Sequence, residues 1–342
     1  MKALVVGAGV SGLTAAVLLK RKGYEVFVLE SRDHIGGNCW DHKPNNCDVY
    51  VHKYGPHIFH TSDETAWKFL NEFTSFNDYK HKVVASIANQ LIVPIPYSKA
   101  TEEAMGLVLS DEEIVNTFFK PYSKRMWGCP YEEIPSEITG RINFRRDDHN
   151  INYFTDTYQG MPSDGYAIMF KRMVTEIGSS NVLLGCGIDV WRSWAEEADL
   201  VVYTGMLDEF HKLEHDRLPY RAVEFIFDMH EQTEHAVVNY CLPGLYSRTT
   251  DFSRFYEDEV SSTILCTERP TAWNPKNDSI VPAYPMVHFP KAEDILVKYK
   301  GMYPGKDVVL CGRLGTYKYM NMDMAITNTI DRLEEQLGCK LY

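Results

Sequence analysis

Paired cysteines are missing from this chain. Its eight cysteines (Cys39, Cys47, Cys129, Cys186, Cys241, Cys266, Cys311, Cys339) are scattered, with no CxxC pair and no His/Cys cluster at zinc-ligand spacing. That excludes a disulfide framework and a structural zinc site, and it favours reduced thiols. Basic side chains are in deficit, 35 Lys and Arg against 47 Asp and Glu for a net charge of −12. Such a chain repels phosphate backbones, so nucleic acid is not expected as a partner, and an anionic small molecule would need a local arginine pocket working against the global field. Long apolar runs are absent too, none approaching the roughly 20 residues of a membrane span. Met1-Lys2 ahead of Ala3 to Leu19 has the outline of a secretory leader, but Gly7, Gly9, Ser11, Gly12 and Thr14 break it and a second strand follows at once, so a cytoplasmic protein is expected. The single sequon at Asn277 carries no weight without other signs of secretion.

What is present is an ordinary globular composition, 44% hydrophobic and 24% charged over 342 residues, without repeats or low-complexity stretches. A chain of this size is expected to divide into two or three subdomains. Leu4-Val5-Val6 reads as a buried strand running into Gly7-Ala8-Gly9-Val10-Ser11-Gly12, after which Leu13 to Leu19 takes up helical spacing. Gly7 permits the tight turn, Gly9 lets backbone approach a pyrophosphate, and Gly12 lets helix pack on strand. Glu25 to Leu29 is the second strand, and Glu30 stands at its end, where a carboxylate can accept from ribose hydroxyls. The second glycine pair, Gly36-Gly37, followed by Asn38, favours FAD over NAD. A longer cofactor needs further points of close main-chain approach, and the string resembles the extended fingerprint of FAD-binding oxidoreductases.

The end of the chain repeats the logic: Val308 to Leu310 as strand, Gly312-Arg313-Leu314-Gly315 as turn, and Ile326, Ile330, Leu333 and Leu337 on an amphipathic helix. Leu200 to Gly205 is a further strand of the same sheet. Val83 to Ser86 and Leu91 to Ile95 flank Asn89-Gln90 as a hairpin. Ser110 to Glu113 is a capping box opening a helix that carries Phe118 and Tyr122 and is expected to kink or end at Pro121. Val223 to Phe227, Ala236 to Tyr240 and Ser262 to Thr267 read as antiparallel strands. The expected fold is therefore α/β, in three parts. They are a discontinuous FAD-binding Rossmann-like domain (1–76, 182–215, 297–342), a small helical domain (97–137) and an antiparallel β-sheet substrate domain (77–96, 138–181, 216–296).

Four strings then converge: His52 to Thr61 (HKYGPHIFHT), Tyr122 to Gly128 (YSKRMWG), Asn152 to Pro162 (NYFTDTYQGMP), and Gly312 to Leu314 with Tyr317 to Tyr319. Together, in this order, they resemble the UDP-galactopyranose mutase family over essentially the whole chain. The resemblance implies an isomerase that converts UDP-galactopyranose to UDP-galactofuranose without net redox change. Its cofactor is reduced FAD, regenerated with NADH or NADPH, and its route runs through an adduct between flavin N5 and the sugar.

The same resemblance implies site residues. Arg141 and Arg248 match the diphosphate-binding pair, whose forked guanidinium groups suit phosphate oxygens. Tyr284 and Tyr319 match phosphate-binding tyrosines. Trp127, Tyr153 and Phe154 match aromatics around nucleotide and sugar, and Phe118 and Tyr122 join the substrate set. His60 is expected to contact the flavin and steer its ionisation or bending; His57 lies in the same loop. Gly7, Gly9, Ser11, Gly12, Glu30, Gly36, Gly37, Asn38, His57, Gly312, Arg313, Asn321 and Met322 form the cofactor set, with no metal. Two departures stand out: Ala100 to Lys120 is shorter than the family's helical insert, which bears on whether the family's homodimer forms, and Asn321 replaces an aspartate common near the flavin. The rival readings are an FAD-dependent oxidase or dehydrogenase of the amine oxidase type, and a flavin-free binding protein on the same fold.

Overall fold

A computed structural model describes the whole chain except residues 46, 140–143, 188, 257–258, 278, 303–304 and 306. Strand β1 (Lys2–Val6), helix α1 (Val10–Arg21) and strand β2 (Glu25–Leu29) open the chain. They belong to a five-stranded sheet in the order Val308–Leu310, Leu200–Tyr203, β1, β2, Val182–Leu183, with every pair parallel. Both faces of this sheet are covered, which is why its strands are apolar at successive positions. Ala3, Val5, Val26, Val28 and Val202 face one core with α1; Leu4, Leu29, Val201 and Tyr203 face another with Trp191. Helix α1 is buried from Ser11 through Leu19 because helices Gly165–Ile177 and Met322–Leu337 pack on it from outside. Helix Gly165–Ile177, grouped with the substrate sheet on sequence, thus packs with the Rossmann layer. Its first turn is tied down by the buried Asp41, whose two oxygens accept from the Tyr166 and Ala167 backbone N–H groups at 2.7 Å each.

A second sheet of seven strands runs Pro282–Pro285, Tyr220–His230, Thr263–Ala272, Arg248–Asp251, Val237–Tyr240, Val83–Ser86, Ile92–Ile95. Neighbours are antiparallel except Val237–Tyr240 with Val83–Ser86, which is parallel. The expected hairpin forms, with Asn89 and Gln90 both at positive φ (59° and 58°) as a tight two-residue turn requires. The expected strands are longer than their apolar cores, because pairing between Tyr220–His230 and Thr263–Ala272 carries through the polar residues at their ends. Two strands had no sequence expectation, Arg248–Asp251 and Pro282–Pro285.

In the helical part the Ser110 and Glu113 capping box forms as expected. Pro121 neither ends nor breaks the helical run. The chain widens into a π-turn at Val115–Phe119 and continues as helix Lys120–Trp127, so the missing proline N–H falls where the regular ladder is already interrupted. At the C-terminal end Gly312–Gly315 is one helical turn rather than a plain turn. Among the described residues no helix is long and apolar enough to cross a membrane, and all eight cysteines are free.

Candidate functional site

Where β1 ends, two glycine segments meet main chain to main chain. A Cβ on Gly37 would lie 3.0 Å from the Gly9 Cα, and the Gly36 N–H donates to the Ala8 carbonyl at 2.7 Å. Glu30 locks the same turn: its Oε2 accepts from the Ala8 N–H at 2.7 Å and its Oε1 from the Arg32 N–H at 2.9 Å. The carboxylate is therefore positioned by the loop, with lone pairs left for ribose hydroxyls. Gly36-Gly37 has a reason beyond the one read from sequence, since it seats one glycine loop on the other.

Above this turn lies a cavity of about 920 Å³. Of the expected cofactor set, Gly7, Gly9, Ser11, Glu30, Gly36, Gly37, Asn38, His57, Gly312, Arg313, Asn321 and Met322 line it, and Gly12 lies behind the turn. Two helices begin at its wall, α1 after Gly9 and Met322–Leu337 after Asn321, and neither N-cap side chain bonds its own helix. Their first N–H groups therefore remain available, one set for a pyrophosphate and the other for the electron-rich end of a flavin. The volume, the glycine cradle and the ribose carboxylate fit FAD. Gly185, Gly187, Trp191, Gly205 and Trp273 also line the cavity; Gly185-Cys186-Gly187 was the legible signal among them.

Asn38, His57, Ala283, Arg313, Asn321 and Met322 are shared with a second, smaller chamber of about 180 Å³, so the two spaces adjoin. That chamber is also lined by His60, His81, Tyr153, Phe154, Asn239, Arg248, Glu268, Tyr284 and Tyr319. Arg248 and Glu268 stand opposite each other on adjacent strands, Nε to Oε2 3.3 Å apart, and an Arg248 terminal nitrogen donates to the Tyr122 hydroxyl. Burial opposes the Arg248 charge, but Glu268 and the surrounding phenols outweigh it and its pKa is raised. Glu268, buried in turn, is pushed up by burial and pulled back by Arg248. Tyr284 and Tyr319 stack at 5.9 Å, with the Arg313 guanidinium within 5.6 Å of both ring centres. Arg313 donates to the carbonyls of Ala283 at 2.9 Å and Met320 at 3.1 Å. Its visible work is to join the two tyrosine-bearing segments.

His60 lies 2.9 Å from Asp156 Oδ2 through Nδ1 and stacks on Phe154 at 3.6 Å. His57 places Nδ1 2.8 Å from the Gly55 carbonyl, so that nitrogen carries a proton. Three expected residues do not line the chambers described. Phe118 is core, packed beside Tyr97 and Ile114; Trp127 packs on Phe289 at 5.6 Å; Tyr122 reaches the site only through Arg248. Arg141 lies outside the described residues. Residues without a sequence expectation are Glu268, His81, Asn239 and Arg221. Arg221 is a buried guanidinium that donates to the Met126 and Arg125 carbonyls at 2.7 and 2.9 Å, against the negative end of helix Lys120–Trp127.

The buried histidines give the site an acid limit. Burial lowers His57 to about 4 and His81 to about 3, and holds His52 well below its ordinary value. The unfolded chain binds protons at these rings near pH 6.5 while the folded chain does not, so their contribution is intact above 6.5 and is lost as pH falls toward 4. Each ring costs about 1.4 kcal/mol per pH unit in that window. Thermal denaturation should therefore show Tm falling steeply between pH 6.5 and 4.5 and flat between 7 and 8; a flat profile to pH 4.5 refutes buried neutral rings.

With the geometry in place, comparison with known proteins is direct. A family model for UDP-galactopyranose mutase matches residues 117–319, and one for an NAD(P)-binding Rossmann-like domain matches residues 5–73. A probable UDP-galactopyranose mutase of Klebsiella pneumoniae is 31% identical, with 98% of this chain and 94% of that protein covered. A dTDP-fucopyranose mutase of Escherichia coli is 30% identical, covering 96% and 97%. A crystal structure of reduced UDP-galactopyranose mutase superposes with a TM-score of 0.74 over 98% of this chain and 94% of that one, at 15% identity, which speaks for the fold. A glycine-cradled dinucleotide cavity opening onto a small arginine-, glutamate- and tyrosine-lined chamber, matched along its length by these relatives, places this chain in the UDP-galactopyranose mutase family.

Proposed function

We propose that the protein isomerises UDP-galactopyranose to UDP-galactofuranose on reduced FAD. The observation that carries this reading is the junction of the two spaces. A cavity sized for a dinucleotide meets a chamber too small for more than one ring-sized group along Asn38, His57, Arg313 and Asn321. When bound, reduced FAD supplies the nucleophilic ring nitrogen that displaces UDP from the sugar's anomeric carbon.

The chain's own residues do the rest. Arg248, kept charged by Glu268, holds the diphosphate as negative charge develops on it, together with Arg141. Tyr284 and Tyr319 donate hydroxyls to the same phosphates without adding charge. Tyr153 and Phe154 cover the sugar's apolar side. The His60 Nδ1–H directed at Asp156 leaves Nε2 as an acceptor toward the chamber. Trp127 and Phe118 act indirectly in this reading, by holding the helix that positions Tyr122. The same reading carries NADH or NADPH as reductant and a cytoplasmic setting.

The E. coli relative keeps a second substrate in view, a dTDP-linked 6-deoxyhexose. Anaerobic incubation of dithionite-reduced protein with UDP-galactose or dTDP-fucopyranose, followed by chromatography, decides between them. The expected result is a furanose product from UDP-galactose with reduced protein and none with oxidised. Conversion of dTDP-fucopyranose alone, or oxygen consumption without any furanose, overturns the proposal.

A further inference from the structure

The smaller chamber contains a second histidine that the reading above does not use. His81 is 4% exposed and lines the chamber. Its ring stacks on Phe154 at 5.4 Å and meets Tyr153 edge-on at 5.7 Å, while His60 stacks on Phe154 at 3.6 Å. Phe154 thus has both imidazoles stacked against it. The two are anchored through the same atom, Nδ1, to groups of opposite character. His60 Nδ1 faces a carboxylate, which can only accept, whereas His81 Nδ1 lies 3.0 Å from the Tyr79 hydroxyl.

That hydroxyl already accepts from the Lys82 backbone N–H, so its single proton is left for His81 Nδ1. His81 Nδ1 is then an acceptor, and the proton of the neutral ring sits on Nε2. Nε2 has no hydrogen-bond partner among the described residues, and it is not among the fully buried orphaned atoms, so it opens to the chamber.

We infer that His81 is a substrate-contacting residue that donates an Nε2–H hydrogen bond to a hydroxyl oxygen of the sugar, and that with His60 as the facing acceptor it sets which sugar the chamber accepts. The inference rests on the nucleotide-sugar reading above. Burial among these rings, with Arg248 and His60 adding to it, lowers the imidazole to about 3, so the donor is neutral throughout the working range. A neutral donor suits a hydroxyl; the diphosphate has the Arg248 cation nearby. A site built to hydrogen-bond a hydroxyl discriminates strongly against a ligand lacking it, because the donor is then left unpaired.

The test compares UDP with UDP-galactose on reduced wild-type, His81→Phe and His81→Asn protein, by binding titration and kinetics, and records the ¹⁵N shifts of the His81 ring in the wild type. His81→Phe is expected to weaken UDP-galactose binding or kcat/KM by about tenfold to a hundredfold, the loss of one hydrogen bond into a closed site, while changing UDP affinity less than about threefold. His81→Asn, which keeps an N–H donor, should recover part of the loss. Equal losses for UDP and UDP-galactose, or no loss for either, overturn the inference. So does a ¹⁵N pattern with the proton on Nδ1, whatever the substrate. Failure of the wild-type protein to distinguish UDP-galactose from UDP, with the Nε2–H tautomer observed, would instead count against the proposed substrate.

Discussion

Replacing Arg248 by alanine is expected to lower kcat/KM for UDP-galactose by about 10²- to 10³-fold while the purified protein stays yellow. The magnitude is that of one preorganised charge removed from developing anionic charge in a closed site. The FAD is retained because Arg248 lies on the strand Arg248–Asp251 and lines the smaller chamber only. A complication is built into the geometry: Glu268 is 3% exposed, and deleting its partner leaves a buried carboxylate alone, which costs about 3–5 kcal/mol of stability. The variant that separates the effects is Arg248→Met with Glu268→Gln. It removes both charges, so its Tm should return toward the wild-type value while turnover stays low. Near-normal turnover in either variant, measured by furanose formation, refutes the role assigned to Arg248. Recovery of turnover in the double variant would show that Arg248 serves only to neutralise Glu268.

Gly12→Ala should remove FAD from the protein. A Cβ there would stand 1.9 Å from the Gly7 carbonyl oxygen, a main-chain atom held by the turn, so helix α1 must move away from β1. Overpacking of this kind costs about 1–3 kcal/mol or more, and it falls on the helix N-terminus aimed at the pyrophosphate. FAD affinity should drop by about ten- to a hundredfold, read as flavin absorbance per protein after gel filtration. Gly23 provides the control. It has φ +89° but nothing within 4 Å of its would-be Cβ, so Gly23→Ala carries only backbone strain of about 1–2 kcal/mol and should keep its FAD. Equal flavin content in both variants would sink the steric account.

The two outcomes differ in how far they could be seen in advance. Gly12 was legible because a strand, a glycine turn and a helix succeed one another within a dozen residues, and local sequence states all three. Arg248 was reached only through resemblance, since the strand that carries it has no apolar alternation to announce it. Glu268, its partner, sits 20 positions away, and nothing in either segment says that the two strands pair in the register that brings them face to face. His81 was hidden for the same reason. Its tautomer depends on Tyr79 next door, but its place in the chamber depends on Phe154 and Arg248, which arrive from distant segments. Phe118 and Trp127 went the other way. Their motif suggested the substrate, and packing against Tyr97 and Phe289 took them into the core.

By itself the amino-acid sequence determined the dinucleotide turn, the ribose carboxylate at Glu30, the strand-turn-helix return at the C-terminus and the hairpin at Asn89-Gln90. In each, the residues that interact are neighbours along the chain, or conform to a spacing dictated by helix and strand geometry. Only the tertiary structure decided that Arg248 is paired with Glu268, that two histidines flank Phe154 as donor and acceptor, that Arg313 clasps the Tyr284 and Tyr319 segments, and that helix Gly165–Ile177 belongs with α1. Those features come from sheet register and from burial, which sum over segments far apart in the chain and therefore leave no local pattern to read.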